Sequence, residues 1–174
     1  MNYIDLFAGA GGLSEGFIRA GFEPVAHVEM DKAACNTLLT RTVYHKLKDT
    51  PDFEKYVAYL KGELSREILY QVLTNTEKES VINLSIGDEN NETIFSKIDQ
   101  LKGEREIDLI IGGPPCQAYS VVGRAPLKNK VGDDRKTIFA GKLHILIHHL
   151  PHPFDVESGE CRASCHTGVE ARFG

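Results

Sequence analysis

The stretch DLIIGGPPCQAYSVVGR, Asp108 to Arg124, constrains this chain most. Leu109, Ile110 and Ile111 run together with no polar alternation, the pattern of a strand buried on both faces of a parallel sheet. The run closes on Gly112-Gly113, then Pro114-Pro115, then Cys116. Two prolines fix the backbone and remove two donors, so the strand ends on a rigid turn that presents a thiol. A free cysteine is often only a small buried hydrophobe. Here Gln117, Tyr119 and Ser120 follow it, hydrogen-bonding types and not core types, and the residues favour a positioned nucleophile.

A second junction of this kind opens the chain. Asn2–Phe7 reads as a strand, Phe7–Gly12 (FAGAGG) as a glycine loop, and LSEGFIRAG as a helix ending near Gly21, a natural C-cap. Leu13, Gly16/Phe17 and Ala20 fall at helical spacing and are expected to form its inner face. EPVAHVEMD reads as a second strand ending near Glu29, and KAACNTLLTRTVY as a second helix. Residues 45–106 read as two short helices broken at Gly62, a third strand in SVINLSIG, and an amphipathic helix with Ile94, Ile98 and Leu101 on one side. EIDLIIGG is the fourth strand. Alternating strands and helices imply a doubly wound α/β sheet. In the usual order 3-2-1-4, the ends of strands 1 and 4 flank one ligand-binding crevice. FAGAGG and GGPPCQ should therefore face each other.

The glycine loop alone leaves two readings open. Glycines let a backbone approach a ligand and let a helix start close to its strand. Yet Ser14 holds the last position of the G-x-G-x-x-G dinucleotide pattern, and a tight turn that binds nothing also fits. Glu29 favours the ligand, because such folds place an acid at the end of strand 2 to bind ribose hydroxyls.

Bulk properties exclude several classes. The chain of 174 residues is long enough for one domain with a real core. No apolar run is long enough to span a membrane, and no basic region precedes an apolar stretch at the N-terminus, so the cytoplasm is the expected compartment. Cys35, Cys116, Cys161 and Cys165 would be free thiols there. A formal charge of −5 argues against a dedicated nucleic-acid-binding domain. Arg124, Lys128, Lys130, Arg135 and Lys136 nevertheless gather after Cys116, in a glycine- and proline-rich loop that reads either as solvated surface or as a phosphate-contacting segment. From about Thr137 the pattern changes: five of the seven histidines lie between His144 and His166, and no periodic element is expected after Pro151. Cys161-x-x-x-Cys165-His166 is not a standard ligand pair, and no metal is expected.

Taken together, DLFAGAGGLSEGF, VEMD and GGPPCQAYSVVGR resemble motifs of the cytosine-5 DNA methyltransferase family, over roughly residues 2–136. The resemblance implies a Rossmann-like S-adenosylmethionine-dependent methyltransferase fold, with only the N-terminal half of the sheet present. It implies that Phe7, Ala8, Gly9, Gly11, Gly12 and Leu13 line S-adenosyl-L-methionine, with Glu29 on the ribose, Met30 on the adenine and Pro114 nearby. Asp88 is a candidate for the adenine amino group. Cys116 would be the catalytic nucleophile, and Gln117, Ser120 and Arg124 would belong to a loop that closes on double-stranded DNA.

The resemblance also implies parts not recognisable here: an acid-bearing Glu-Asn-Val segment, an arginine-bearing strand, a DNA-reading domain and a segment that closes the cofactor pocket. Residues 1–136 are thus read as the N-terminal part of the catalytic domain, and 137–174 as an atypical tail foreign to the family. Three readings follow: a DNA methyltransferase of a restriction-modification system, a catalytically inactive remnant, or one half of a split enzyme completed by a second chain. An RNA cytosine methyltransferase is a variant of the first. Without a fifth strand, Ile107–Ile111 is expected to form an exposed sheet edge; Leu143–Ile147 could cover it, though nothing in its pattern requires that.

Overall fold

The computed structural model describes residues 1–113 and the short strand Val169–Glu170. The elements run β1 (Asn2–Leu6), α1 (Gly12–Arg19), β2 (Glu23–Val28), α2 (Lys32–Leu47), α3 (Phe53–Leu60), α4 (Arg66–Leu69), α5 (Asn75–Glu79), β3 (Val81–Ile82), α6 (Asn91–Lys102), β4 (Leu109–Gly112) and β5 (Val169–Glu170). A single 3-10 turn, Tyr70–Val72, follows α4. The sheet order is β3-β2-β1-β4-β5. The first four strands are mutually parallel, as the doubly wound reading requires, and β5 is antiparallel to β4. This is the Rossmann-like α/β architecture.

The two faces of the sheet differ in chemistry. On one face Ile4, Leu6, Ala26, Val28 and Ile82 pack against Ile94, Phe95, Ile98 and Leu101 of α6. α6 presents the face its sequence period predicts, with Asn91 also buried at its start. On the other face Tyr3, Leu109 and Ile111 pack with Phe17 of α1 and Phe22. A third cluster lies among the helices, where Val43 and Leu47 of α2 meet Leu69 and Leu73. The helices between α2 and β3 are short, and α4 and α5 carry side-chain caps. Ser65 accepts from the Ile68 amide, and Thr74 with Glu77 forms a reciprocal capping box.

The structure corrects the sequence reading at four places. The buried stripe of α1 is Ser14 with half-buried Phe17 and Ile18, while Leu13, Gly16 and Ala20 are exposed. The spacing was right and the phase was one residue off, because the helix is anchored through a polar side chain. β3 holds two residues instead of the eight of SVINLSIG. The helix Asn75–Glu79 had no apolar period to announce it. Finally, β4 is paired on its outer side by β5, through Ile110 with Glu170 and Ile111 with Val169. The expectations of a bare edge and of no element after Pro151 both fail at those two residues. Leu143–Ile147 and the boundary drawn at Lys136 lie outside the described residues.

β1 and β4 come together closely at their C-terminal ends, where Leu6 pairs with Gly112. A Cβ on Gly112 would sit 2.1 Å from the Leu6 carbonyl oxygen, a backbone atom that cannot step aside. The first glycine of the GGPPC turn is therefore required by packing. Gly112→Ala should lower the unfolding free energy by about 3 kcal/mol or more, at the severe end of overpacking. Gly16→Ala is the control: a Cβ there meets nothing within 4 Å, and alanine should stabilise α1 by roughly 0.5–1 kcal/mol. Urea denaturation of the two variants beside the parent measures both.

Candidate active site

The C-terminal ends of β1, β2 and β4 carry the residues that the sequence singles out. β1 ends at Leu6, and Phe7 follows with φ 58°, the single described non-glycine residue with positive φ. Gly9 and Gly11 also take positive φ, 53° and 80°. Left-handed geometry at positions 7, 9 and 11 folds the loop tightly on itself, with the Gly11 amide donating to the Ala8 carbonyl at 2.9 Å. The strain of a left-handed phenylalanine persists because its neighbours are held: Ala8 is buried, and its amide donates to the Val28 carbonyl at 3.2 Å. Gly11 caps α1 with no side-chain partner, and Gly12 and Leu13 are exposed at the open first turn.

Glu29 lies directly after β2, at the level of this loop. Its Oε2 accepts from the Gly9 amide and its Oε1 from the Asp31 amide, both at 2.8 Å. Asp31 in turn caps α2 by accepting from the Ala34 amide at 2.7 Å. One carboxylate thus joins the glycine loop to the entry of α2. Each of its oxygens keeps lone-pair capacity beyond these bonds. Met30 stands 70% exposed beside it.

Beneath the loop lies a polar row that the sequence reading missed. Tyr3 and Ser14 share a short hydrogen bond between their hydroxyls, and Ser14 Oγ is 2.8 Å from Nε2 of buried His27. Burial pushes the Tyr3 phenol up to about 12 and His27 down to about 4, so both are neutral at ordinary pH. Ser14 occupies the place where the dinucleotide pattern has its third glycine. There a glycine gives close helix–strand packing; here a hydroxyl ties α1 to two strands instead. A polar residue inside an otherwise helical apolar period was the available signal.

Asp5 is the other buried group. It is 1% exposed, and among the described residues its Oδ2 has no hydrogen-bond partner. Burial, and then the nearby Glu29 carboxylate, push its carboxyl up to about 7. Cys35 is buried too. Its thiol is pushed up by burial and by Glu29, and it donates to the Glu29 carbonyl at 3.3 Å, the environment of an inert cysteine.

The structure brings Phe7, Ala8, Gly9, Gly11, Gly12, Leu13, Glu29 and Met30 to one rim of the sheet. Asp88 is exposed in the turn before α6. Pro114, Cys116, Gln117, Ser120 and Arg124 lie outside the described residues, although β4, which leads to them, lies beside β1 in parallel register. Among the described residues no group of three or more histidine, cysteine or acidic side chains could hold a metal ion. No described helix is long and apolar enough to cross a membrane.

The Asp5 shift has a definite pH signature. An ordinary aspartate titrates near 3.9, so from about pH 4 to pH 7 the unfolded chain releases a proton that the folded chain keeps. Stability therefore falls as pH rises through that window, and the loss is complete above it. Asp5→Asn should be more stable than the parent by roughly 2–4 kcal/mol at pH 8, with the advantage shrinking towards zero near pH 4. Urea unfolding at both pH values tests this, and a pH-independent difference would refute it.

The chain is similar in sequence to known proteins. The profile of the C-5 cytosine-specific DNA methylase family matches residues 1–70 and 69–157. The type II methyltransferase M.Bpa9945I of Bacillus paralicheniformis is 38% identical, over 91% of this chain and 40% of its own length. M.AquIA of Picosynechococcus, also a type II methyltransferase, is 31% identical over 89% of this chain and 47% of its own. M.XorII of Xanthomonas oryzae is 32% identical over 89% of this chain and 27% of its own. The chain thus spans less than half the length of each of these relatives. With the parallel sheet, the glycine loop and the acid after β2 in place, this extent of match shows that the chain belongs to the C-5 cytosine-specific DNA methylase family.

Proposed function

We propose that this chain is the cofactor-binding part of a cytoplasmic DNA (cytosine-5) methyltransferase of a restriction-modification system, taking S-adenosyl-L-methionine and double-stranded DNA. The observation that carries the reading is the Glu29 bridge, which fixes the glycine loop against the end of β2 and sets a carboxylate on the rim shared by β1 and β4.

The residues present fit the cofactor. A Cβ on Gly9 or Gly12 would meet no atom within 4 Å, so the loop backbone has open space above it. Glu29 can accept from ribose hydroxyls through its remaining lone pairs, and exposed Met30 offers an apolar surface for the adenine. Phe7, Ala8, Gly11 and Leu13 complete the loop on this reading, with Pro114 beside it. When bound, S-adenosylmethionine supplies an electrophilic methyl group on a sulfonium.

The chain supplies the nucleophile. Carbon 5 of cytosine is a poor nucleophile until a nucleophile adds to carbon 6. On this reading the Cys116 thiolate would add to carbon 6, breaking the 5,6 π bond and leaving an enamine whose carbon 5 is nucleophilic. After methylation, loss of the carbon-5 proton and expulsion of the thiolate restore the ring. The base must leave the duplex to reach such a site, and Gln117, Ser120 and Arg124 would act in the loop that closes on the DNA. The contribution of β4 is positional: it brings the cysteine turn to the rim where the cofactor loop begins, and a fixed near-attack geometry lowers the barrier.

Two outcomes are expected. By calorimetry the chain should bind S-adenosylmethionine, and Glu29→Ala should weaken binding by about tenfold or more, the loss of a hydrogen bond to a charged group. Equal binding by the two proteins would remove Glu29 from the ribose site. In a complete enzyme carrying this segment, a duplex containing 5-fluorocytosine should be trapped covalently at Cys116, and Cys116→Ser should abolish trapping. An adduct mapped to Cys35, Cys161 or Cys165 would overturn the assignment of the nucleophile.

A further inference from the structure

Asn83 is the first residue after β3, and it is exposed. Nothing in its sequence context distinguishes it from an ordinary polar residue at a strand end. Its Nδ2 nevertheless donates to two consecutive carbonyls of a different strand's exit, Glu29 at 3.0 Å and Met30 at 2.8 Å. The last ladder bond between β2 and β3 is the Glu29 amide to the Ile82 carbonyl, at 3.1 Å. Beyond that point β2 leaves the sheet and turns into α2. Asn83 continues the ladder by one step with a side chain, holding the carbonyls that the sheet no longer pairs.

The geometry points to Asn83 as the positioning residue that sets the turn presenting Glu29 and Met30 to the cofactor, an inference that rests on the function proposed above. Glu29 is held at its amide by β3, at its carbonyl by Asn83 and Cys35, and at its carboxylate by Gly9 and Asp31. Asn83 is the one member of this set that fixes Glu29 and Met30 together. Its amide can meet both carbonyls because an amide nitrogen carries two donors. An aspartate of the same size and shape carries none. It would set an acceptor against two acceptors and push the turn away from β3. Moving the turn moves the Glu29 carboxylate relative to the glycine loop, so the effect should appear in recognition of the ribose.

The test uses the whole chain and two probes, S-adenosylhomocysteine and its 2′,3′-dideoxyribose analogue, with affinities from calorimetry. The parent should favour the hydroxylated probe by about tenfold, as expected when a carboxylate loses its hydrogen-bonding hydroxyls. Asn83→Asp should bind S-adenosylhomocysteine about tenfold more weakly and discriminate between the probes by less than about threefold. A purely structural role would weaken both probes equally and leave the ratio intact. If Asn83→Asp does not fold, Asn83→Ala is read in the same way, with a smaller fall in the same ratio. Retention of the parent's ratio by a folded variant would overturn the inference and leave the ribose site standing. Absence of discrimination by the parent itself would instead overturn the assignment of Glu29 to the ribose, and this inference with it.

Discussion

The glycine-loop end of this fold depends on one carboxylate. Glu29 accepts from the Gly9 amide on one oxygen and from the Asp31 amide on the other. These bonds add to the few backbone pairings of the loop and the turn, Gly11 to Ala8, Ala8 to Val28 and Glu29 to Ile82. The loop adopts left-handed geometry at three of five positions, and α1 begins with no side-chain cap. A charged acceptor gives stronger hydrogen bonds than a neutral one. Here it stands where the exposed amides of the loop need a partner. On the function proposed above, the group that organises the loop would also meet the ribose, so binding would begin from an arrangement close to the one required. Preorganisation of this kind leaves less conformational entropy to be lost on binding.

The carboxylate has consequences below the loop. Asp5 sits in β1 with little solvent, and Glu29 is the nearby charge that joins burial in raising its pKa. Two carboxylates near one strand end cannot both ionise at low cost, and the buried one gives way. The row of Tyr3, Ser14 and His27 uses neutral groups on the same face, where each can be buried without a counter-ion. The α6 layer is built mainly from apolar side chains, with Asn91 buried at the start of the helix. The division is functional in its geometry: the face that carries α1 must hold the first helix after the glycine loop in a fixed place, and directional hydrogen bonds specify a position that apolar contact alone would leave loose.

Much of the fold was legible because it rests on long apolar patterns. The run through Ile110 and the spacing of Ile94, Ile98 and Leu101 can be read without ambiguity, and they fix the sheet and its α6 layer. The position of Glu29 directly after β2 was legible from the strand pattern. Ser14, Asn83 and Asp5 were not, each for a different reason. Ser14 shifts the buried face of α1 because a serine can anchor a helix through its hydroxyl, which an apolar period does not register. Asn83 acts on a segment more than fifty residues away, through backbone carbonyls that carry no sequence signal of their own. Asp5 looks like any acid in a strand until the register shows which face it takes. β3 and β5, of two residues each, are too short to carry a period.

The two junctions that dominate the sequence are tied together by a contact in which no side chain takes part. Leu6 and Gly112 close β1 and β4, and the Leu6 carbonyl lies where a Cβ of residue 112 would be. The glycine loop and the cysteine turn therefore leave the sheet about one strand spacing apart, ~4.8 Å, from neighbouring parallel strands pointing the same way. This spacing is set by hydrogen-bonded backbone, so it does not drift with side-chain motion in either loop. Methyl transfer requires a donor and an acceptor ring to be held at near-contact distance while the nucleophile remains within bonding reach of the ring. On the function proposed above, adjacent parallel strand ends would set the spacing from which the glycine loop and the segment after β4 start.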